Sequence, residues 1–137
     1  MSMFKIFDTA ASGMSAQSLR LNLVASNMAN ADAVSSSLDQ TYRSRQAVFK
    51  TVFDQANPDG AASGVKVAGV LESQAPLVQE YAPDHPLAND QGYIFRPNVN
   101  MVEEMANMMS ASRSYQSNVE VANAAKQLLI ATIRMGQ

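Results

Sequence analysis

The chain has no cysteine, no tryptophan and a single histidine among its 137 residues. Without cysteine it can form neither disulfide bonds nor thiolate metal sites, and this absence leaves the redox compartment open. The histidine, His85, lies between Asp84 and Pro86 without the HExxH spacing of a metal site, so we interpret it as a surface loop residue. Glu103 and Glu104 are adjacent, about 100° apart on a helix, and do not converge as an acid–base pair. The sequence therefore predicts no catalytic site, no metal, no cofactor and no enzyme activity.

The chain also lacks an excess of charge and a long apolar run. Its 10 basic and 12 acidic residues leave a net charge of −2, so there is no basic surface for nucleic acid or an anionic membrane. No stretch approaches the ~18 apolar residues that a membrane span needs. Lys5, Asp8 and Arg20 interrupt the N-terminal segment, which therefore does not have the pattern of a cleaved secretory signal. We expect no nucleic-acid partner and no direct membrane span.

Proline and methionine occupy different parts of the chain. All five prolines lie within residues 35–98, whereas all nine methionines lie outside them. In both methionine-rich segments, apolar residues recur at steps of three and four, as in amphipathic helices. The first stripe comprises Phe4, Phe7, Ala11, Met14, Ser18, Leu21, Ala25 and Met28. The second comprises Met101, Met105, Met108, Ser112, Tyr115, Val119, Ala122, Lys126, Leu129 and Ile133. We therefore divide the chain into an N-terminal helix (1–34), an insertion (35–98) and a C-terminal helix (99–137).

Local signals mark the ends of both predicted helices. Asn100 followed by Glu103 is a capping-box arrangement, in which the asparagine accepts from the N3 amide and the glutamate reaches back. The C-terminal helix should therefore begin near Met101. Asn27 and Asn30 lie in a run of residues that favour caps and turns, and we assign them to the turn that ends the first helix.

Helices of this length predict an elongated molecule. At about 1.5 Å per residue, residues 3–30 would span roughly 40 Å and residues 101–135 roughly 50 Å, more than the width of a compact domain of this mass.

At the end of the C-terminal helix, Gly136 stands where a left-handed C-cap residue is expected.

Between the helices the apolar pattern changes to a period of two. Residues 65–71 follow a predicted turn at residues 60–64 and have the pattern of a strand, with residues 42–53 as its partner. A second pair is predicted in residues 77–81 and 93–95, separated by turn-prone sequence. So few strands are not stable alone and should pack on the helices or on a neighbour. The predicted fold class is mainly α with a small β insertion, in which short antiparallel β-hairpins lie between two long helices.

The helix faces opposite the apolar stripes carry few charges. Small and amide side chains, among them Asn22, Asn107 and Gln116, occur where a solvated helix normally shows lysine and glutamate. Such faces suit close contact with another chain or a water-filled lumen, and an ordinary helical hairpin with a mildly polar surface remains the alternative. Many stripe positions are alanine or serine, so apolar burial does not match the entropy cost of ordering two long helices. We expect the helices to need neighbours from other subunits.

Particular sequence strings resemble a known family. Residues 21–31 are similar to the N-terminal signature of bacterial flagellar rod and hook axial proteins, in which a helix ends in an Asn-Leu-Ala-Asn-like turn. Residues 98–105 and 110–121 resemble the matching C-terminal signature. The resemblance covers nearly the whole chain, and within the family the length and segment order are most similar to the proximal rod proteins of the basal body. Met28 departs from the pattern, since the family more often has leucine there.

The resemblance implies a structural subunit of the basal-body rod. In this family the terminal helices associate as a coiled coil in a tubular inner layer, with the insertion outside it. Such a chain is exported unfolded from the cytoplasm to the periplasm through the flagellar type III apparatus. It polymerises with itself and other rod proteins into a drive shaft that transmits torque and forms the export channel. The implied partners are those rod proteins, the export apparatus and proteins at the junction of the membrane ring and the rod.

Within this family fold we predict a seam for helix pairing or assembly. It comprises Phe7, Met14, Leu21, Met28, Met105, Tyr115, Val119, Ala122 and Leu129. Two other hypotheses stay open: another type III secreted axial polymer subunit, and a free-standing coiled-coil adaptor. Residues 35–98 argue against a plain helical hairpin, and an adaptor would form a small oligomer with ordered ends in solution.

Overall fold

The structure, a computed structural model, describes residues 3–53 and 62–136. These residues form two long helices separated by four strands. In chain order the elements are α1 (Met3–Ala29), β1 (Arg45–Phe53), β2 (Ala62–Glu72), β3 (Val78–Tyr81), β4 (Tyr93–Arg96) and α2 (Met101–Met135). The predicted combination of mainly α structure with a small antiparallel β insertion is confirmed. The turn predicted at residues 60–64 is wrong for residues 62–64, which already belong to β2 and pair with β1; residues 60–61 lie outside the described part of the chain.

α1 runs for 27 residues, about 40 Å, and ends at the polar run noted in the sequence. The main-chain N–H of Asn30 donates to the carbonyls of Ser26 and Asn27, at 3.1 and 3.2 Å. Asn30 Nδ2 also donates to the Ser26 carbonyl, at 2.8 Å. The side chain of Asn30 thus satisfies a carbonyl of the last turn, and the helix stops there.

α2 is longer, at 35 residues, and begins directly after Asn100. The Asn100 side chain accepts hydrogen bonds from the main-chain N–H groups of Val102, at 3.1 Å, and Glu103, at 3.4 Å. The left-handed conformation expected at Gly136 is wrong, since its φ is −91°. The helix ends instead with one hydrogen bond from the Gly136 N–H to the Ile133 carbonyl, at 3.2 Å. The short turn closes within an ordinary backbone region, so a left-handed residue is not needed.

The two helices lie side by side and run antiparallel. Three contacts at successive levels are Gly13 with Asn118, Arg20 with Asn107, and Asn27 with Glu104. A Cβ atom at position 13 would lie 2.7 Å from Asn118 Nδ2, so glycine permits this close approach. The same register places the described start of α1 beside residue 128. Residues 129–135 of α2 therefore extend about 10 Å past α1.

β1 and β2 form an antiparallel hairpin that lies along α1. Its pairing starts with Arg45 opposite Glu72, whose side chains also form an ion pair at 3.3 Å, and contains two register shifts. The Val65 N–H donates to Ser12 Oγ of α1 at 3.1 Å. A Cβ atom at Gly64 would lie 2.7 Å from the same hydroxyl oxygen. Glycine at this position lets the strand reach the helix.

β3 and β4 form a second antiparallel hairpin closer to the start of α2. Tyr81 is paired with Tyr93, and their rings meet edge to face with centroids 5.1 Å apart. Gly92 has a φ of 80°, the one positive value among the described residues, and closes the turn before β4. Ser35 and Phe95 exchange main-chain hydrogen bonds of 3.0 and 2.9 Å. The loop that follows α1 is therefore fixed to β4.

The buried apolar core of the described residues is small. Its members are Ala10, Ala16, Val24, Ile94, Phe95, Ala111 and Ala125. Alanine predominates, and each alanine buries little area. The chain exposes 9403 Å², whereas a compact monomer of 14.7 kDa exposes about 6,900 Å². The chain is therefore more open than a self-contained globular domain of its mass.

Candidate functional site

Asn27, in the last turn of α1, is 1% exposed and joins the helix to the start of β1. Its Oδ1 accepts from the Arg45 main-chain N–H at 2.9 Å and from the Tyr42 hydroxyl at 2.8 Å. Its Nδ2 donates to the Arg45 carbonyl at 2.9 Å and to Ser44 Oγ at 3.3 Å. A primary amide offers two acceptor and two donor positions, so this side chain is fully used. Asn27 therefore fixes how the insertion leaves the helix.

Asn98, just before α2, joins two further segments. Its Oδ1 accepts from the Ser44 N–H at 2.8 Å, and its Nδ2 donates to the carbonyls of Ala75, at 2.9 Å, and Ser73, at 3.3 Å. Arg43 Nη1 donates to the same Ser73 carbonyl at 3.3 Å. The ends of α1 and β2 and the starts of β1 and α2 are thus held at one point. We call this the basal junction and define it by Asn27, Ser44, Ser73, Asn98 and Glu104.

Glu104 brings a carboxylate into the basal junction. It is 3% exposed, and its Oε2 has no hydrogen-bond partner in the described part of the chain. Burial raises the pKa of Glu104 above its ordinary value, and the charge of Glu103 adds to the rise. The neighbouring Asn27 amide and the charge of Arg20 lower this pKa without cancelling the increase. A buried carboxylate with an unpaired oxygen is costly, so the isolated chain is incompletely satisfied here.

A groove of about 370 Å³ opens beside Glu104, between α1, β1 and the start of α2. Its lining residues are Arg20, Leu23, Val24, Arg45, Gln46, Ala47, Phe49, Glu103, Glu104 and Asn107. Both arginines are engaged elsewhere: Arg20 bonds Asn107, and Arg45 pairs with Glu72 and lies 5.4 Å from the Tyr42 ring centroid. The two glutamates form no ion pair among the described residues. The groove thus combines apolar walls with carboxylates that lack a cation.

The predicted seam residues lie next to the line along which the helices meet. On α1, Phe7, Met14, Leu21 and Met28 are half-buried; on α2, Val119, Ala122 and Leu129 are half-buried, and Met105 and Tyr115 are 53% and 38% exposed. Contacts between the helices occur at Gly13, Arg20 and Asn27, each one position before a predicted residue. Much of the predicted seam is therefore still accessible to a second chain.

The predicted apolar stripes do not include Gly13, Arg20 or Glu104. Gly13, Arg20 and Asn27 follow one another at steps of seven, and so do Glu104, Ala111, Asn118 and Ala125. Such steps keep residues on one side of a helix that faces a partner helix. These residues are small, amide or charged, so a pattern of apolar residues alone does not include them. A repeat of seven that also admits such side chains predicts the contact line between the helices.

α2 exposes most of its large apolar side chains. Glu104, Ala111 and Ala125 are its only buried residues. The exposed side chains form two strips: a proximal strip of Val102, Met105 and Met109, and a distal strip of Val121, Leu128 and Met135 at steps of seven. Their exposed fractions run from 45% for Val121 to 81% for Met135. Extended apolar surface of this kind marks contact sites for other chains.

Neither a metal-binding cluster nor a membrane-spanning helix is found among the described residues. They include no cluster of three or more His, Cys, Asp or Glu side chains that could hold a metal ion. No helix among them is long and apolar enough to cross a membrane. His85 is half-buried in its loop, where its Nδ1 accepts from the Leu87 N–H at 3.1 Å.

Comparison with known proteins finds similarity along the whole chain. The family model described as Flagella basal body rod protein matches residues 7–35, and the model described as Flagellar basal body rod FlgEFG protein C-terminal matches residues 90–135. The chain is 52% identical to the flagellar basal-body rod protein FlgC of Escherichia coli O6:H1 and 51% identical to that of Salmonella typhimurium, with all of each chain covered. It is 33% identical to that of Borreliella burgdorferi, over 93% of both chains.

Proposed function

The chain belongs to the FlgC family of flagellar basal-body rod proteins, and from this we propose that it polymerises with itself and with other rod proteins into the proximal part of the rod. It is a structural subunit of the rod, and the rod of the basal body is its location. The observation that carries the polymerisation proposal is α2, which exposes two apolar strips and buries only Glu104, Ala111 and Ala125. Contacts of this kind between different surfaces of successive subunits do not close on themselves and generate tubes.

α1 and α2 together form the axial part of the subunit, and they pair as a short antiparallel coiled coil. The steps of seven through Gly13, Arg20 and Asn27, matched by those through Glu104, Ala111 and Asn118, support this pairing. Residues 1–34 and 99–137 are the two halves of this axial domain, and residues 35–98 form an insertion outside it. The position of β1 and β2 along α1, tied by the bond from Val65 to Ser12, supports an insertion that packs on the helices.

The predicted seam acts between subunits as well as within one. Leu21 and Val119 are half-buried in the single chain, and Met105 and Tyr115 are more exposed, so neighbouring helices can cover them. At about 25 cal/mol per Å² of apolar area, covering these side chains supplies stabilisation that the alanine-rich core of one chain lacks. The rod, rather than the subunit, is then the stable folded unit.

Rods of this kind transmit torque and form the channel through which later subunits pass. Ser15, Asn22 and Asn123 are exposed and uncharged, and a lumen lined by such side chains neither traps an unfolded chain by apolar contact nor holds it by charge. The small core fits a subunit that leaves the cytoplasm unfolded through the flagellar type III export apparatus and folds as it joins the rod in the periplasm. The proteins where the membrane ring meets the rod are its first neighbours.

The test is an in-frame deletion of the gene in its own host, followed by electron cryotomography of the basal bodies. We expect basal bodies that keep the membrane ring and export apparatus but lack rod and hook. Complementation with the intact gene is the control. Complete flagella and normal swimming in the deletion strain would overturn the proposal.

A further inference from the structure

The groove beside Glu104 is the one described concavity that contains a buried polar atom without a partner. We propose that it receives a lysine or arginine side chain from a helix of an adjoining rod subunit, so that the Glu104 carboxylate gains its ion-pair partner only on assembly. This inference rests on the proposed function, because it requires a neighbouring axial subunit.

In the described part of the chain, no hydrogen-bond donor reaches Glu104 Oε2. Asn27 uses both donor and both acceptor positions of its amide on the segment at Tyr42, Ser44 and Arg45. Arg20, the nearest cation on α1, donates to Asn107 at 2.8 Å. Arg45, on β1, is paired with Glu72. A partner for the carboxylate therefore has to come from outside the described chain.

The walls of the groove fit a long cationic side chain. Leu23, Ala47 and Phe49 supply apolar surface, and Phe49 is 36% exposed along it. Lysine and arginine bury their methylene stems on such surface and carry the charge at the tip. The tip would meet two carboxylates, Glu104 in the wall and Glu103 beside it. A guanidinium can bind a carboxylate through two parallel hydrogen bonds, which sets orientation as well as strength.

The arrangement distinguishes the free subunit from the assembled one. In the free subunit, Glu104 opposes folding, because the desolvated Oε2 has no compensating donor. In the rod, the same burial strengthens the attraction to an incoming cation. Glu104 therefore favours the assembled state over the free subunit. Its effect on assembly can be measured separately from its effect on folding.

The first test compares the native chain with Glu104→Gln, which keeps the shape and removes the charge. The purified variant should unfold at the same temperature as the native chain or higher, because no charge remains buried. Co-expressed with the native chain, it should be at least tenfold under-represented in purified basal bodies, measured by mass spectrometry of residue-104 peptides. Glu120→Gln, at an exposed position of the same helix, is the matched control and should show neither change.

Two results of this comparison would overturn the inference. One is incorporation of Glu104→Gln at the native level. The other is a parallel loss of thermal stability and incorporation, which would mean that the carboxylate serves only the fold of its own chain. In both cases the native chain is still found in rods, so the proposed function stands; its absence from rods would overturn the proposed function itself.

A second experiment identifies the occupant. A photo-crosslinking benzoylphenylalanine placed at Phe49, inside the groove, should capture a lysine- or arginine-bearing helical peptide of an axial subunit in intact basal bodies. The same label at Val78 of β3, 53% exposed and outside the groove, is the control and should not capture that peptide. If position 49 forms crosslinks only within its own polypeptide, the inference is overturned, even if Glu104→Gln assembles poorly.

Discussion

The basal junction and the distal end of the helix pair are held in opposite ways. At the junction, Asn27 and Asn98 connect four elements through hydrogen bonds of 2.8–3.3 Å. At the distal end, Ala125 is the one buried residue of α2 beyond Asn118, while Leu128 and Ile133 are 60% and 58% exposed.

The difference separates geometry from stability. Buried hydrogen bonds are directional and each adds only about 1 kcal/mol, so they fix where the elements meet. Apolar contacts are non-directional but supply most of the free energy of folding, and here many of the side chains able to make them are exposed. The chain therefore specifies its shape at the junction and depends on neighbours for stability along the helices.

The largest expected effect comes from charging the predicted seam. Leu21→Asp or Val119→Asp places a carboxylate where a neighbouring helix should pack, and burial of an unpaired charge is costly. The purified chain should stay soluble, whereas incorporation into rods and motility should be lost, as measured by immunoblots of basal bodies and swimming-ring diameter. Gln79→Asp, exposed on β3 in the insertion, adds the same charge outside the helices; it is the control and should swim normally. Normal swimming of either seam variant would refute the seam.

A second change tests the junction against the distal end in the isolated chain. Asn27→Ala removes four hydrogen bonds and leaves buried partners unsatisfied, which should lower the free energy of unfolding by about 3 kcal/mol. Leu128→Ala should change it by no more than about 0.5 kcal/mol, because the side chain is 60% exposed. Urea titrations followed by far-ultraviolet circular dichroism measure both. Equal losses of unfolding free energy from the two substitutions would show that the junction and the distal end do not differ in this way.

The close approach of the helices at Gly13 gives a smaller effect. Alanine is favoured over glycine inside a helix by about 1 kcal/mol, but its Cβ would lie 2.7 Å from Asn118 Nδ2. Gly13→Ala should therefore raise the free energy of unfolding little in the native chain. In a chain that also carries Asn118→Ala, which makes room for the Cβ atom, it should raise the free energy of unfolding by the full amount. A double-mutant cycle of unfolding free energies should show coupling of about 1 kcal/mol. Strictly additive effects would mean that the helices do not meet at this level.

The smallest effect is the pH dependence of Glu104. Because burial raises its pKa in the folded chain, its contribution to stability is fully present below the pKa of the unfolded carboxyl and is lost as pH rises through the folded value. The charged groups facing it are Arg20 on α1, Glu103 on α2 and Arg45 on β1. Glu104→Gln should therefore gain stability relative to the native chain over the interval that begins near pH 4.5, the ordinary pKa of a glutamate carboxyl, in unfolding titrations. A constant difference across this interval would contradict the raised pKa.

Sequence periodicity was sufficient to predict the elements but not the contacts between them. The bounds of α1 and α2 follow from apolar steps and from Asn30 and Asn100, because these signals act within a few residues. The junction at Asn27 depends on partners 15–18 residues away, which no local pattern reveals. Likewise the helix line through Gly13 and Arg20 is visible only once the antiparallel register is known.

The unequal lengths of the helices affect how a rod can start. Residues 129–135 of α2 pass the described start of α1, and ordering each residue costs about 1–2 kcal/mol of backbone entropy. A free subunit recovers little of that cost, because Ile133 and Met135 are 58% and 81% exposed. When two free subunits meet, both must order residues 129–135 before the apolar side chains of either are buried. We therefore expect spontaneous nucleation to be slow. Under the proposed function, we expect a subunit to add more readily to a surface that already presents ordered helices.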